Sequence, residues 1–533
     1  MAALGCAALP ARAPLAARRL QSISRSARCG AAHRAVAQYR AGPALGPCLP
    51  HRRPQVGRAG RRSVRPRSSV ASAESLEASV SALQTKLHEA GVLPPQKAGP
   101  AAPGANLGGK LPFVATQDVK AGQVVMEVPS ELAVTAYDVK QHAVVAELAE
   151  GRSELTGLAL WIMAERAAGA ASPNAEFLQT LPETTMSPIL WPQSERSMLL
   201  RGTTIEKEAP AREAALRAEW QEIEEVHVGA APDKFPPGVY NVDAFLAAFV
   251  VVLAAACYLP AASCFALLPL VSSIRHSGAG NVALDYDSER DAAVLVATGD
   301  LPAGAEVTVF DDWPNGEMLL NTGCLEPGNP CDFLTLKAEL VQADNLYTAK
   351  KQIVEAYGLT ELQEFPVYRD RFPIQLLAYL RLARVQDTGE LMRVSFEDDN
   401  IISQLNEYET LQILMGDCRD ILSGFQCNIE DDTKELQNPE LTERERLGIQ
   451  LRIEEQVIAQ STMDSVRRRL APIRGIPTKQ GLQDPNQDLL EVFEAFENIP
   501  NAPKKLFEGI SSWARGDYDP EFRKKQQQKK KRQ

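Results

Sequence analysis

Two stretches 182 residues apart carry nearly the same twelve residues. Val114-Ala-Thr-Gln-Asp-Val-Lys-Ala-Gly-Gln-Val-Val125 and Val296-Ala-Thr-Gly-Asp-Leu-Pro-Ala-Gly-Ala-Glu-Val307 agree at seven positions. Each runs from β-branched residues into a turn closed by a glycine, Gly122 or Gly304, and out into β-branched residues again, which reads as strand–turn–strand. A unit present only twice does not build a solenoid of stacked repeats. It predicts one β-rich domain made of two separated halves, with other material inserted between them.

The inserted material reads as helix. Residues 138–230 are predicted mostly helical, including the charged Lys207–Glu225 run with Trp220 as its anchor. No charged residue occurs from Ala244 to Ser273, a length that could span a bilayer. Pro260 and Pro269 interrupt it, so a buried helix over Ala244–Tyr258 and a buried strand over Cys264–Leu268 account for the same composition without lipid. Upstream, Leu76, Val80, Leu83 and Leu87 recur at helical spacing before Gly91. Downstream, from Lys337 to Ile473, leucines recur at three- and four-residue spacing among Glu and Arg, the mark of amphipathic helices.

Residues 1–73 contain fourteen arginines and no Asp, Glu or Lys. An acid-free, Arg-, Ser- and Ala-rich leader is the composition of an organelle transit peptide; a basic arm for nucleic acid is the alternative. Without the leader, 43 basic residues face 68 acidic ones, a formal charge of −25. A body that acidic repels phosphate backbones, which disfavours general DNA binding by the globular part. The basic end, with seven Lys or Arg among the last thirteen residues, is a solvated tail or a dock for nucleic acid or an acidic protein. The cysteines beyond the leader show no CxxC pairing, so no metal site is expected and a reducing compartment fits.

Several motifs resemble those of one family. Asp118-Val-Lys-Ala-Gly and Asp300-Leu-Pro-Ala-Gly resemble the two hairpins of a SET domain. Pro269-Leu-Val-Ser-Ser-Ile-Arg-His-Ser277 resembles its Asn-His-Ser stretch, and Leu320-Asn-Thr-Gly-Cys-Leu-Glu-Pro327 the tyrosine-bearing motif of the Rubisco large-subunit lysine methyltransferase branch. Phe177-Leu-Gln-Thr-Leu-Pro-Glu-Thr184 and Ile189-Leu-Trp191 are similar to the helical insertion of that branch. The resemblance implies an α+β fold. Its parts are a transit peptide (1–73), an N-terminal helix and linker (74–110) and a SET domain (111–333) split by the helical insertion (138–230). A helical substrate- or partner-binding domain (334–475) and an extension with a basic tail (476–533) follow.

The same resemblance implies an S-adenosyl-L-methionine site at Gly108, Gly109, Leu111, Arg275 and His276. It puts the catalytic tyrosine at Thr322, with Tyr286 or Tyr258 as substitute phenols. This chain departs from the pattern in several places. Arg275 stands where the family has Asn, Thr322 where it has Tyr, alanines at 254–256 where it has Ser-Arg, and Asp311 where a further tyrosine is common. Arg is permanently cationic and lacks the carboxamide acceptor, and Thr has no phenol. Two functions follow. One is a structural or regulatory subunit with a degenerate methyltransferase site; within the branch, the acidic body and aromatic-basic tail resemble SET-fold components of the plastid-encoded RNA polymerase complex. The other is an active protein-lysine N-methyltransferase of a stromal protein. The expected compartment is the chloroplast rather than the mitochondrion.

Overall fold

A computed structural model describes residues 70–101, 112–182 and 184–474. Residues 1–69 of the leader, the expected cofactor residues Gly108, Gly109 and Leu111, and the tail from 475 lie outside these. The chain divides into two compact units, one ending at Cys331 and taking in Glu440–Leu451, the other formed by Asp332–Pro439 and the residues from Arg452 onward.

The first unit opens with α1 (Val70–Glu89). Leu76, Val80 and Leu83 of α1 are buried in the core of the unit, and Gly91 closes the helix at φ +70°, as the helical spacing predicts. Strands β1 (Ala98–Pro100), β2 (Phe113–Ala115), β3 (Val124–Pro129) and β4 (Val134–Thr135) follow. Then come helices α2 (Glu154–Ala168), α3 (Glu208–Ile223) and α4 (Val242–Ala255), with strands β5 (Ala256–Leu259) and β6 (Cys264–Leu267). The rest is β7 (His276–Ser277), β8 (Val282–Asp287), β9 (Ala292–Ala297), β10 (Glu306–Val307), β11 (Val309–Phe310) and α5 (Asn315–Thr322).

These strands make three small sheets, in the orders β1-β2-β10, β3-β9-β8-β11-β7 and β4-β6-β5. The two sequence repeats do not each close as a hairpin. The first strand of the upstream copy, β2, pairs with β10 from the end of the downstream copy, Val114 opposite Glu306. The second strand, β3, pairs with β9 from its beginning, Val124 opposite Val296. Each copy therefore completes the other. Equivalent bonds fasten the turns: Gly122 N donates to Ala297 O and Gly304 N to Ala115 O, both at 2.8 Å.

The charge-free stretch is buried in protein. Asn241 caps α4 by accepting from Ala244 N at 3.0 Å, and Phe245, Leu246, Phe249 and Val250–Val252 are all buried. The helix ends at Ala255, earlier than periodicity suggests, because Ala256 enters β5; Ser272 Oγ then donates to the freed Ala255 carbonyl at 2.8 Å. Among the described residues no helix is long and apolar enough to cross a membrane.

The second unit is mostly helical but not the all-α domain that the sequence suggests: Leu334, Leu336 and Ala338 alternate into its interior, and an antiparallel ribbon forms from β12 (Phe333–Glu339) and β13 (Leu362–Tyr368). Its helices include α6 (Ile374–Arg384), α7 (Gln404–Gly424), α8 (Ile429–Glu435) and the part of α9 (Glu443–Arg474) that begins at Arg452. Leu376, Leu377, Leu380, Leu411, Leu414 and Val466 form its core; each such burial contributes about 1.5–3 kcal/mol. Charge is buried there too. Arg381 donates to both oxygens of Glu407 at 2.5 and 2.8 Å, tying α6 to α7. Arg452 grips Asp432 the same way at 3.0 and 2.5 Å, tying α9 to α8.

Candidate functional site

Of the expected site residues, Arg275, His276 and Thr322 sit where β7, β11 and α5 meet. Strand β11 lies parallel to β7, with Val309 N donating to Arg275 O at 3.0 Å and Asp311 N to Ser277 O at 3.1 Å. That register sets Asp311 beside His276. Helix α5 begins straight after Pro314, a residue whose fixed φ suits a helix start. Asn315 and Gly316 are its first residues.

The helical insertion holds α5 in place. Buried Arg212 of α3 donates to Asn321 Oδ1 at 2.8 Å and to both oxygens of Glu317 at 2.8 and 3.0 Å. Ser187 Oγ donates to Leu320 O at 2.5 Å. At the other end Asn315 brackets the backbone of Glu326, accepting from its N and donating to its O, both at 3.1 Å. The Glu326 carboxylate in turn accepts from Ser277 Oγ at 2.6 Å and Gly278 N at 2.8 Å. Neither Asn315 nor Glu326 stands out in the sequence. Glu326 lies inside the Leu320–Pro327 motif, but its pairing with Ser277, 49 residues away, has no local signal.

Arg275, His276 and Thr322 converge. With Met318, Cys324, Leu325 and Glu326 they line a cavity of about 30 Å³, room for roughly one water against the ~300–1,000 Å³ of a ligand pocket. Each polar side chain is committed to a neighbour. Arg275 donates through Nε and Nη2 to Glu306 Oε1 at 3.1 and 3.0 Å. Thr322 Oγ1 donates back to Met318 O at 2.7 Å and accepts from Cys324 N at 3.2 Å, so both hydroxyl functions are used.

His276 is the exception. Its Nδ1 lies 3.2 Å from Asp311 Oδ2 and its ring lies near-parallel to Trp313, centroids 6.5 Å apart. A carboxylate only accepts, so Nδ1 donates and a neutral ring carries its lone pair on Nε2. That Nε2 is buried with no hydrogen-bond partner among the described residues.

The substitute phenols stand elsewhere. Val282 of β8 pairs with Val309, which pairs with His276. Tyr286 is four residues farther along β8, roughly 13 Å at ~3.3 Å per residue. Its phenol donates to Asp291 Oδ1 at 2.5 Å; burial and then that carboxylate push it up to about 12. Tyr258 packs on Phe265, ring centroids 5.1 Å apart, in the β4-β6-β5 sheet. Ala254 and Ala255 are buried in the end of α4 and bring no polar side chain.

Comparison with known proteins fits this architecture. Residues 341–458 match the family model described as Rubisco LSMT substrate-binding. The chloroplastic ribulose-1,5 bisphosphate carboxylase/oxygenase large subunit N-methyltransferase of Nicotiana tabacum is 24% identical over 67% of this chain and 76% of its own. The chloroplastic [fructose-bisphosphate aldolase]-lysine N-methyltransferase of Arabidopsis thaliana is 26% identical over 66% and 76%. Actin-histidine N-methyltransferase of Danio rerio is 23% identical over 67% of this chain and 63% of its own. Among solved structures, Rubisco LSMT bound to AdoMet superposes with TM-score 0.57 at 23% identity, over 78% of this chain and 99% of that one. The LSMT SET domain bound to lysine and AdoHcy gives 0.57 at 22% identity with the same coverage. The fold is the α+β SET fold of Rubisco LSMT, and the relatives that the chain resembles are N-methyltransferases of proteins.

Proposed function

We propose that this chain is a plastid SET-fold protein acting as a structural and regulatory subunit of the plastid transcription machinery, with a cleft that no longer transfers methyl groups. The observation carrying this reading is the internal pairing of the cleft: Thr322 to Met318, Arg275 to Glu306 and His276 to Asp311. Methyl transfer to a lysine needs a neutral amine aimed at the donor carbon. A lysine titrates near ~10.4, so the site must favour the uncharged form. Glu326 in the cavity wall does the reverse, since a nearby carboxylate stabilises an ammonium. No phenol among the described residues reaches the cavity to align the amine.

S-adenosylmethionine, the methyl donor named in the neighbouring structure, is the cofactor expected of this fold, and it would supply the transferable methyl. The test of fit is the orphaned Nε2 of His276, a buried acceptor able to take a hydrogen bond from the ligand. His276 is thus the residue that would hold it. Arg275 and Thr322 contribute only by leaving Glu306 and Met318. Missing alignment at several positions, each worth about 1.4 kcal/mol of transition-state stabilisation, multiplies to about 10⁴ in rate for four. Docking would fall to the helical domain and the basic tail, and the acid-free leader supports delivery to the chloroplast.

The second reading is an active protein-lysine N-methyltransferase of a stromal protein, favoured by the named activities of the tobacco and Arabidopsis relatives. Calorimetric titration with S-adenosylmethionine, run beside a tritiated-methyl transfer assay on plastid extract, separates the two. Binding without transfer is the expected result. Labelling of a discrete protein above the no-enzyme background would establish the second reading and overturn the first.

A further inference from the structure

A second concavity lies within the first unit, lined by the 189–196 segment, α3 and the start of α4. Its volume is about 370 Å³, inside the ~300–1,000 Å³ range of ligand sites. Buried Trp191 and Leu246 give it an apolar wall. Trp191 is spent as a donor, its Nε1 bonding Met186 O at 2.9 Å.

The polar side holds two arginines and two carboxylates, with Asp243 only loosely paired. Glu213 accepts from Arg217 Nε and pairs with Arg196 Nη2, both at 2.8 Å. Burial opposes its ionisation, but the two guanidiniums outweigh burial and hold its carboxyl below the usual range. The triad therefore carries two positive charges against one negative. Arg196 is 6% exposed and anchored to the Pro188 and Ile189 carbonyls. Arg217 turns its Nη edge to the groove, where the nearest anion, Asp243, is 3.9 Å away and 86% exposed. That is beyond hydrogen-bond reach.

We propose that this groove binds a carboxylic acid carried next to an apolar group. Its carboxylate takes the Nη edge of Arg217 in bidentate fashion, and its apolar part lies against Trp191 and Leu246. Asp243 competes with the ligand for the same guanidinium. The site is independent of the methyl-donor cleft, and its test reads binding alone.

The test is calorimetric titration of the full chain with 4-phenylbutyrate, and with benzylammonium as the cationic control. The expected result is saturable binding of the acid, weakened by raising the salt, and none of the amine. Arg217→Gln should weaken binding at least tenfold, and Asp243→Asn should tighten it severalfold by removing the competitor. Both side chains are solvent-exposed, so both variants should melt with the wild type. No binding of the acid at 10 mM, equal binding of the amine, or an Asp243→Asn variant that binds no tighter would each overturn the assignment.

Discussion

Asp118 and Asp300 make the same bond to each other's turn. Asp118 Oδ1 accepts from Ala303 N at 2.8 Å, and Asp300 Oδ1 accepts from Ala121 N at 3.0 Å. The two residues hold equivalent places in the two repeats, and Val119 bridges to Leu301 between them. Two short strand–turn–strand units, neither able to complete a sheet alone, thus lock into one scaffold through backbone exchange and a reciprocal pair of carboxylates.

Asp300 should make this lock weakly acid-sensitive. The bond from Lys120, 2.9 Å from Asp300 Oδ2, and then that from Ala121 N hold its carboxyl below the ordinary aspartate value. A depressed folded pKa gives stability that is present above the unfolded value of about 3.9 and is lost as pH falls through the folded value. Asp300→Asn should therefore lower Tm slightly at pH 7, and the difference from wild type should shrink as pH falls below the unfolded value of about 3.9. Thermal melts across that range check it.

Gly280 permits the approach of β11. A Cβ built there would lie 2.3 Å from both N and Cα of Phe310, backbone atoms that cannot turn aside. Gly280→Ala should cost about 1–3 kcal/mol, read by urea denaturation. The same change at Gly299, whose Cβ would meet nothing within 4 Å, should stay within about 0.5 kcal/mol.

Arg381 is 2% exposed and its partner Glu407 equally so. Arg381→Met would leave that carboxylate buried without its cation, a loss of about 3–5 kcal/mol. The double variant Arg381→Met with Glu407→Leu should recover much of it, because both charges are then gone. Denaturation of the two variants tests this directly.

His276→Ala removes a buried acceptor of the cleft that lacks a partner among the described residues. If S-adenosylmethionine raises the Tm of the wild type by mass action, the variant should need about tenfold more ligand for the same rise, the equivalent of ~1.4 kcal/mol. Arg275→Ala should change the ligand response less, since Glu306 already holds that guanidinium.

Much of this fold can be read from the chain, and the unreadable parts have physical causes. The repeats announce strands because β-branched residues flank a glycine turn, yet a period-two pattern specifies faces, not neighbours. Reciprocal pairing of β2 with β10 was therefore invisible. The burial of α4 follows from residues 244–256 lacking charge, whereas its end depends on the pairing of β5 with β6. At the site, Arg275, His276 and Thr322 emerge from motif positions and do meet at one cavity. Glu306 and Asp311, which hold the first two, come from tertiary packing that no local pattern encodes, whereas the bond from Thr322 to Met318 O is a contact four residues back along α5. Tyr286 illustrates the converse: chemically suitable in sequence, it is carried along β8 to the turn at Asp291.

The central claim is that the cleft survives as architecture without transferring methyl groups, and single-turnover methyl transfer tests it most directly. Purified full-length protein, tritiated S-adenosylmethionine and plastid extract are combined, with the tobacco Rubisco large-subunit N-methyltransferase as positive control. The account predicts incorporation no higher than in the absence of protein. Sustained turnover that disappears in Arg275→Ala or Thr322→Val would contradict it.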